Sequence, residues 1–329
     1  MNKKERVDAA LRGEPVDRVP ASIWGHDFER EWGAQSLAEA MLENYTRYDW
    51  DYMKVNPRAS YHVEGWGVRA RPSGVKYQPP VYERLPIRSS ADWKRLRPLE
   101  PDEGPLGEQL KALQLIQHSI GFEAYFVQTI FCPLGIAKYL VGEKNELVLK
   151  TMKEDRKALH SALRVITETF TNFALACLEQ GASGIFYATN QWSSESMLTA
   201  DLYREFGEQY DLEFWDVVKS RGKFNILHNC GSNIYFDMLA SYPVQALSWD
   251  CYAPGNPNLR EGKLRSGKAV MGGISEKAIG KNGSVTQVQE EVGKAIDLTG
   301  GQHFLLAPGC AISPQSPSKN LEAIRRALP

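Results

Sequence analysis

Short apolar runs alternate with longer helical patterns along the chain, and this alternation restricts the folds that it can adopt. Several runs are apolar without a break, as in parallel strands that are covered on both faces. Eight runs are predicted as strands: Val19–Trp24, Tyr52–Asn56, Ala124–Thr129, Gly184–Ala188, Phe224–Leu227, Ala246–Trp249, Ala269–Gly272 and Phe304–Ala307. Eight strands that alternate with helices predict an α/β fold, a (β/α)8 TIM barrel formed as one domain over residues 1–329.

Helical periodicity fills the segments between these runs. One apolar stripe recurs at steps of three and four residues and stops at Gly181, as expected for a helix that packs on the sheet. Its members are Leu159, Leu163, Ile166, Phe170, Phe173 and Cys177. A second helix is predicted over Val285–Leu298, and Gly300-Gly301 ends it.

The stretch from Tyr61 to Gly121 departs from this alternation. It is rich in proline, which lacks an N–H and interrupts both helices and strand ladders, and it includes Pro79-Pro80. We therefore predict an irregular Pro-rich insertion after strand 2 that covers part of the barrel mouth.

Charge and cysteine content exclude several classes of protein. The formal net charge is −1, so no basic surface favours nucleic acid or an anionic membrane. No apolar run reaches the length of a membrane span, and the first residues lack the apolar core of a signal peptide. The five scattered cysteines do not form a disulfide framework. These features predict a soluble, cytoplasmic protein, and its aromatic content is compatible with a homodimer.

A histidine and a cysteine two residues apart follow the fifth predicted strand. Residues i and i+2 of an extended chain project to the same side, so His228 and Cys230 can converge on one point. Cys310, which follows the eighth strand, is a candidate third ligand. One imidazole and two thiolates with an open fourth position are typical of a catalytic zinc site. On these residues alone, a buried cysteine beside a hydrogen-bonded histidine at a strand end stays open as the simpler interpretation.

Other candidate residues also follow predicted strands, where barrel enzymes place their chemistry. His26 follows the first strand and is a candidate contact for substrate. Tyr187, Asn190 and Trp192 lie at the end of the fourth strand and are predicted to line the substrate cavity. Asp250 follows the sixth strand and is predicted either to complete the metal shell or to orient the histidine ligand through its second nitrogen. The alternatives are a structural role for His26, a loop cap for Asp250 and strand-end packing for the others.

Three motifs stand at the start of the chain, at its fourth strand and at its end. They are Lys4-Glu5-Arg6-Val7-Asp8-Ala9-Ala10-Leu11-Arg12-Gly13 with Asp17-Arg18-Val19-Pro20, then Gly181-Ala182-Ser183-Gly184-Ile185-Phe186, and finally Pro308-Gly309-Cys310 with Pro314, Ser316-Pro317 and Asn320. All three resemble sequences of the uroporphyrinogen decarboxylase superfamily. The last of them resembles the ending of the zinc methyltransferase branch. The resemblance spans nearly the whole chain and implies the same single barrel.

The segment after the first strand separates two branches of that superfamily. True decarboxylases carry an arginine-rich segment there, which binds the carboxylates of a tetrapyrrole. In this chain Trp24–Trp32 holds one arginine among three acidic residues, so bidentate recognition of a polycarboxylate is not expected. The other branch contains corrinoid-dependent methyltransferases, including methylcobamide:coenzyme M methyltransferases, with His-x-Cys and a distant Cys as zinc ligands. By this resemblance the metal ligands are His228, Cys230 and Cys310.

The resemblance implies a zinc-dependent methyltransferase that moves a methyl group between a corrinoid and a small thiol or related acceptor. The expected cofactors are Zn²⁺ and a corrinoid such as methylcobalamin, and the expected partner is a corrinoid protein that docks over the barrel mouth. His26 would then touch the substrate or the corrinoid. One alternative is a metal-free decarboxylase or lyase that acts on a tetrapyrrole or another carboxylated substrate. The other is a corrinoid- or tetrapyrrole-binding protein without turnover.

Overall fold

Parallel strands form the centre of the fold in a computed structural model, which describes residues 1–328. The strands are β1 Tyr52–Val55, β2 Arg69–Arg71, β3 Val81–Arg84, β4 Tyr125–Phe131, β5 Gly184–Asn190, β6 Ile226–Asn229, β7 Ala246–Trp249, β8 Ala269–Ile274 and β9 Phe304–Pro308. Seven of them form one sheet in the order β1-β4-β5-β6-β7-β8-β9, and every pairing in it is parallel. The short strands β2 and β3 pair antiparallel as a separate hairpin.

Residues 19–24 lie between β1 and β9 without forming a full strand. Ala21 makes one parallel bridge to Leu306, and the Leu306 N–H donates to the Pro20 carbonyl at 2.9 Å. On the other side, the Asp51 N–H donates to the Ala21 carbonyl at 2.9 Å. Pro20 has no N–H with which to extend the ladder, so the first predicted strand is reduced to a bridge. The TIM-barrel prediction is confirmed, with this correction to its first strand.

Helices cover the outer face of the sheet. They are α1 Lys3–Arg12, α2 Ala34–Tyr48, α3 Tyr61–Glu64, α4 Gly104–Ile120, α5 Pro133–Leu140, α6 Asn145–Glu154, α7 Arg156–Glu179, α8 Ala200–Tyr203, α9 Gln209–Val218, α10 Phe236–Ala240, α11 Leu259–Ser266, α12 Glu276–Ile279, α13 Val285–Thr299 and α14 Ser318–Ala327. The predicted apolar stripe lies on α7 and is buried along its length. Ser284 begins α13 with a capping box, and Gly300 ends it in the left-handed conformation, at φ 64°. Within residues 1–328, none of these helices combines the length and apolar surface that a bilayer span requires.

The segment after β1 contains more regular structure than the predicted irregular insertion. It includes α3, the β2–β3 hairpin and a 3₁₀ turn at Ser90–Arg95. From Gly104 onward it is the regular helix α4, with Pro105 in the first turn, where its missing N–H does no harm. Tyr82 on the hairpin is half-buried, and burial together with the charges of Glu143, Glu64 and Glu31 raises its pKa. The hairpin therefore lies near the segments that carry these three glutamates.

Side chains fill the barrel interior in layers, which positions the site. Alternate residues of a strand face the same side of the sheet. Two inward-facing residues of one strand that are two positions apart therefore lie in successive interior layers. The buried middle of the barrel includes Tyr52, Phe186, Ile226 and Ala246. The next positions toward the carboxyl ends are Lys54, Ala188, His228 and Ser248. This upper layer is therefore mainly polar, in contrast to the apolar layer beneath it.

Candidate metal centre

Three side chains with metal-binding atoms meet at the carboxyl ends of the strands. His228 Nε2 lies 3.0 Å from Cys230 Sγ, and Cys230 Sγ lies 3.3 Å from Cys310 Sγ. All three ligand atoms lie within 4.8 Å of one another, and this is the one such group of three found within residues 1–328. His228 is 3% exposed, and both cysteines are half-buried. The sequence prediction that these residues converge agrees with this geometry.

Two glycines allow the loops to bring both sulfur atoms together. Gly231 has φ 95°, a conformation that turns the chain sharply after Cys230 and that other residues rarely adopt. Gly309 comes before Cys310, and a side chain there would lie 3.0 Å from the Asp250 Cα. The Gly309 N–H donates to the Ile274 carbonyl at 3.0 Å, which ties this loop to the end of β8. The β9 loop therefore reaches inward across the ends of β7 and β8 to the β6 loop.

The donor set fits a zinc ion. Bonds of about 2.0–2.3 Å in a tetrahedron place neighbouring ligand atoms roughly 3.3–3.8 Å apart. The nitrogen–sulfur and sulfur–sulfur distances, 3.0 and 3.3 Å, are near that range without any ion. Soft thiolates and an imidazole also suit Zn²⁺ better than Mg²⁺ or Ca²⁺, which prefer oxygen.

The two cysteines hold their protons unequally. The hydrogen bond from Cys230 keeps the pKa of Cys310 well below its usual value, and His228 acts in the same direction. The same contact with Cys310, together with burial, raises the pKa of Cys230. The pair therefore resembles one thiolate that shares a proton with a neighbouring thiol. A divalent cation that takes the place of that proton would relieve the repulsion between two thiolates.

The second nitrogen of the histidine is bonded to a serine. His228 Nδ1 lies 3.0 Å from Ser248 Oγ, and the two residues are register partners on β6 and β7. On its other side the imidazole stacks on Phe186, with ring centroids 5.0 Å apart. These contacts fix the ring so that Nε2 points at the cysteines. They also correct one of the roles predicted for Asp250, because the partner of this nitrogen is Ser248.

Asp250 lies near the cluster but not within it. One carboxylate oxygen, Oδ1, accepts the Tyr252 N–H at 2.9 Å, which is the loop-cap arrangement. Its backbone lies against Gly309, next to the Cys310 ligand. Asp250 thus lies beside the candidate metal centre, but its carboxylate bonds the backbone of the loop that follows β7.

Glu276 is a further candidate residue beside the cluster and is not among the predicted site residues. Burial raises the pKa of Glu276 to about 7, and the negative charges of Cys310 and Asp250 add to that rise. Its Oε1 is buried without a hydrogen-bond partner and lies near Gly309. The only signal in the sequence is its position shortly after the seventh predicted strand.

His26 and Asn190 lie at the barrel mouth, outside the metal cluster. His26 Nδ1 lies 2.7 Å from the Glu31 carboxylate, and the ring stacks on Phe28 at 4.9 Å. It also lines a cleft of about 290 Å³ together with Ile312. Asn190 has φ 55° and ψ −150°, a strained backbone for a residue other than glycine, and its Nδ2 is buried without a partner. Strain and an unpartnered donor at a strand end are typical of a binding site.

Tyr187 does not face the mouth, which corrects its predicted role as a cavity-lining residue. Tyr187 is fully buried on the outer face of β5, where it packs on Phe214 with ring centroids 4.7 Å apart. Its hydroxyl donates to Asp211 Oδ1 at 2.7 Å. Trp192 is also fully buried, and its Nε1 has no partner. Tyr187 thus belongs to the packing between the sheet and α9, and Trp192 belongs to the same buried apolar cluster.

The carboxylate behind Tyr187 gives a prediction for stability against pH. Burial raises the pKa of Asp211 to about 6, although three tyrosine hydroxyls donate to it. Between pH 4 and 6 this group is ionised in the unfolded chain but protonated in the folded chain. As the pH rises through this range, the free energy of unfolding should therefore fall by up to about 3 kcal/mol. Asp211→Asn cannot ionise and should lack this component. Urea unfolding of both proteins from pH 4 to 7 checks it, and parallel pH profiles would contradict it.

Several known proteins are similar to this chain over nearly its whole length. The family model described as Uroporphyrinogen decarboxylase (URO-D) matches residues 2–328. The methylcobamide:CoM methyltransferase MtbA of Methanosarcina acetivorans is 24% identical over 97% of this chain and 95% of the relative. A uroporphyrinogen decarboxylase of a Synechococcus species is 27% identical over 97% of this chain and 94% of the relative. A solved methyltransferase from Methanosarcina mazei, 23% identical, covers 99% of this chain and 98% of its own with a TM-score of 0.81, so the fold is shared.

Proposed function

Because the chain belongs to the uroporphyrinogen decarboxylase (URO-D) family, we propose that it is a zinc-dependent methyltransferase that moves a methyl group between a corrinoid and a small thiol. The observation that carries this proposal is the convergence of His228, Cys230 and Cys310 at the barrel mouth. Relatives named methylcobamide:CoM methyltransferases support the corrinoid as methyl donor or acceptor. The corrinoid is taken as a substrate, presented as methylcobalamin or by a corrinoid protein that docks over the mouth.

His228, Cys230 and Cys310 would hold the ion, and three protein ligands would leave a further position for a substrate sulfur. When bound there, Zn²⁺ supplies a lowered pKa for an incoming thiol and fixes the position of its sulfur. Phe186 and Ser248 keep the imidazole in its orientation. We assign Asp250, and with it the newly found Glu276, to the space beside Cys310, where a carboxylate either completes the metal shell or accepts the proton of the thiol.

The transfer itself is a displacement at the methyl carbon. The thiol gives its proton to a carboxylate or to water, its sulfur forms the new sulfur–carbon bond, and the cobalt–carbon bond breaks with its electron pair going to cobalt. The products are a methyl thioether and a corrinoid reduced by two electrons, so no other oxidant or reductant is needed. Unpartnered polar atoms of Asn56 and Asn190 at the strand ends are available to bind polar groups of either substrate. His26, beside its cleft at the rim, is placed to touch the corrinoid.

Thiol-dependent loss of methylcobalamin tests this function. Protein purified without chelators is expected to contain one zinc per chain and to convert methylcobalamin, with a change in visible absorbance, when a thiol is added. Zinc-loaded protein that binds a corrinoid but leaves its methyl group in place, with every thiol tried, would favour a binding protein instead.

Ser248 gives a milder prediction at the same centre. Ser248→Ala removes the partner of His228 Nδ1, so the imidazole loses its fixed orientation. Removal of such an outer partner costs roughly tenfold to a hundredfold in metal affinity, and we expect the lower end. Competition with a chromophoric chelator measures the affinity, and Ser241→Ala at the exposed end of α10 is the matched control. Equal zinc affinity in Ser248→Ala and wild type would contradict the role of this serine.

A metal-free decarboxylase is the second candidate, because relatives named uroporphyrinogen decarboxylase match the chain at similar identity. It would need cations free to bind carboxylates. Arg30, after the first strand, pairs instead with Glu43, and Arg58 pairs with Glu64 and Glu108. The two functions separate on metal content, since the decarboxylase needs no zinc.

A further inference from the structure

One lysine lies inside the barrel in the same layer as the candidate metal centre. Lys54 is 7% exposed and follows Tyr52 on the inner face of β1. Its ammonium hydrogen-bonds the Asn56 side chain and lies over the Phe186 ring, 4.9 Å from the centroid. Phe186 in turn stacks on the imidazole of His228. The cation is thus packed against a ring that supports a candidate metal ligand.

This buried cation has no carboxylate partner among the described residues. Burial lowers the pKa of Lys54 to about 7, and the negative charges of Cys310 and Cys230 oppose that fall. Other buried cations of the chain are paired, for example Arg6 with Asp51 and Arg58 with Glu64. A buried charge without a pair is costly, so its presence calls for an anion that the site acquires.

The proposed metal centre acquires such a negative charge when a thiolate binds to it. A divalent ion with two cysteine thiolates and a neutral imidazole is neutral overall, and a thiolate in the fourth position leaves one negative charge. The carboxylates of Asp250 and Glu276 stand on the Cys310 side and can only add negative charge. Lys54, on the opposite strand β1, is the cation in the same layer.

We propose that Lys54 is a positioning residue that offsets the negative charge brought by an anionic fourth ligand, and so favours the acceptor as a thiolate. The inference rests on the proposed function. It assigns Lys54 no contact with the substrate, because the charge acts through the barrel interior. Zinc binding alone leaves the centre neutral and should depend little on this lysine.

The test compares ligands of different charge on the zinc-loaded protein by titration calorimetry. Lys54→Met should bind 2-mercaptoethanol and 3-mercaptopropionate about tenfold more weakly than wild type, as expected for the loss of one nearby unit charge. It should bind imidazole, a neutral fourth ligand, with unchanged affinity and should keep its zinc. Lys54→Arg retains the charge and should recover part of the thiol affinity.

The matched control is Lys268→Met, since Lys268 is a half-buried lysine at the amino end of β8 that bonds the Ala240 carbonyl. It should leave thiol affinity unchanged. The melting temperature of Lys54→Met should not fall, because the variant loses an unpaired buried charge.

Three results would overturn the inference. The first is unchanged thiol affinity in Lys54→Met, and the second is an equal loss of affinity for thiols and for imidazole. The third is a loss of affinity confined to 3-mercaptopropionate, which would mean that Lys54 pairs with the carboxylate of that ligand. Failure of the proposed function is distinct: wild-type protein loaded with zinc would then bind no thiol, and the role of Lys54 would fall with it.

Discussion

Cys310→Ser is expected to abolish both zinc retention and thiol-dependent demethylation of methylcobalamin. Serine keeps the size of the side chain but replaces a thiolate with a hydroxyl, which stays protonated and binds zinc poorly. Loss of an outer partner alone weakens metal sites by roughly tenfold to a hundredfold, so loss of a ligand should exceed about a hundredfold. Cys230→Ser should behave in the same way because its sulfur lies 3.3 Å from that of Cys310.

Cys251→Ser is the control for these variants. Cys251 is half-buried near the same mouth but outside the three-residue cluster, and burial raises the pKa of Cys251 to about 12. It should therefore keep its proton, and its replacement should leave zinc content and activity within about twofold of wild type. Elemental analysis after purification under reducing conditions, followed by the demethylation assay, measures both properties. Full zinc content in Cys310→Ser would contradict the proposed ligand set.

Asp211→Leu is expected to be the most destabilising of the substitutions considered outside the metal centre. The Asp211 carboxylate accepts the hydroxyls of Tyr187, Tyr203 and Tyr242 at 2.7, 2.9 and 3.0 Å, and all four residues are buried. Leucine matches the shape of the side chain but leaves buried hydroxyls without an acceptor, at roughly 1–3 kcal/mol each. Tyr203 and Tyr242 can still bond each other, so the expected loss is about 3 kcal/mol in the free energy of unfolding.

Urea unfolding at pH 7 measures this loss, with two comparisons. Asp216→Leu replaces an exposed aspartate on the same helix α9 and should change stability by less than about 0.5 kcal/mol. Asp211→Asn keeps an acceptor for Tyr187 and should lose much less than Asp211→Leu. If the leucine variant were as stable as wild type, the tyrosines would not depend on this carboxylate.

Local sequence patterns were sufficient to predict the seven strands of the parallel sheet, two of the long helices and the three converging ligands. The runs of apolar residues gave the positions of the barrel strands, and the end of each run indicated which residues reach the mouth. Proline was the main source of error. Pro20 reduced the first strand to a single bridge, whereas Pro105 begins a regular helix inside the stretch predicted to be irregular.

The side of the sheet that each residue faces and the register between strands were harder to predict, because both depend on contacts between strands. An unbroken apolar run does not indicate which alternate residues face inward, so Tyr187 was assigned to the cavity although its neighbour Phe186 faces the interior. The partner of His228 depends on its register with β7, which brings Ser248 rather than Asp250 beside the ring. Lys54 is a local signal of a different kind, because it is a lone cation within an otherwise apolar strand.

X-ray absorption at the zinc edge, with and without a thiol, identifies the atoms bound to the metal. We expect two sulfur ligands and one imidazole nitrogen from His228, Cys230 and Cys310 in the thiol-free protein, and a third sulfur at about 2.3 Å after the thiol is added. A sulfur count that stays at two with saturating thiol would contradict an open position for the acceptor. A zinc ion without two sulfur ligands in the thiol-free protein would contradict the site itself.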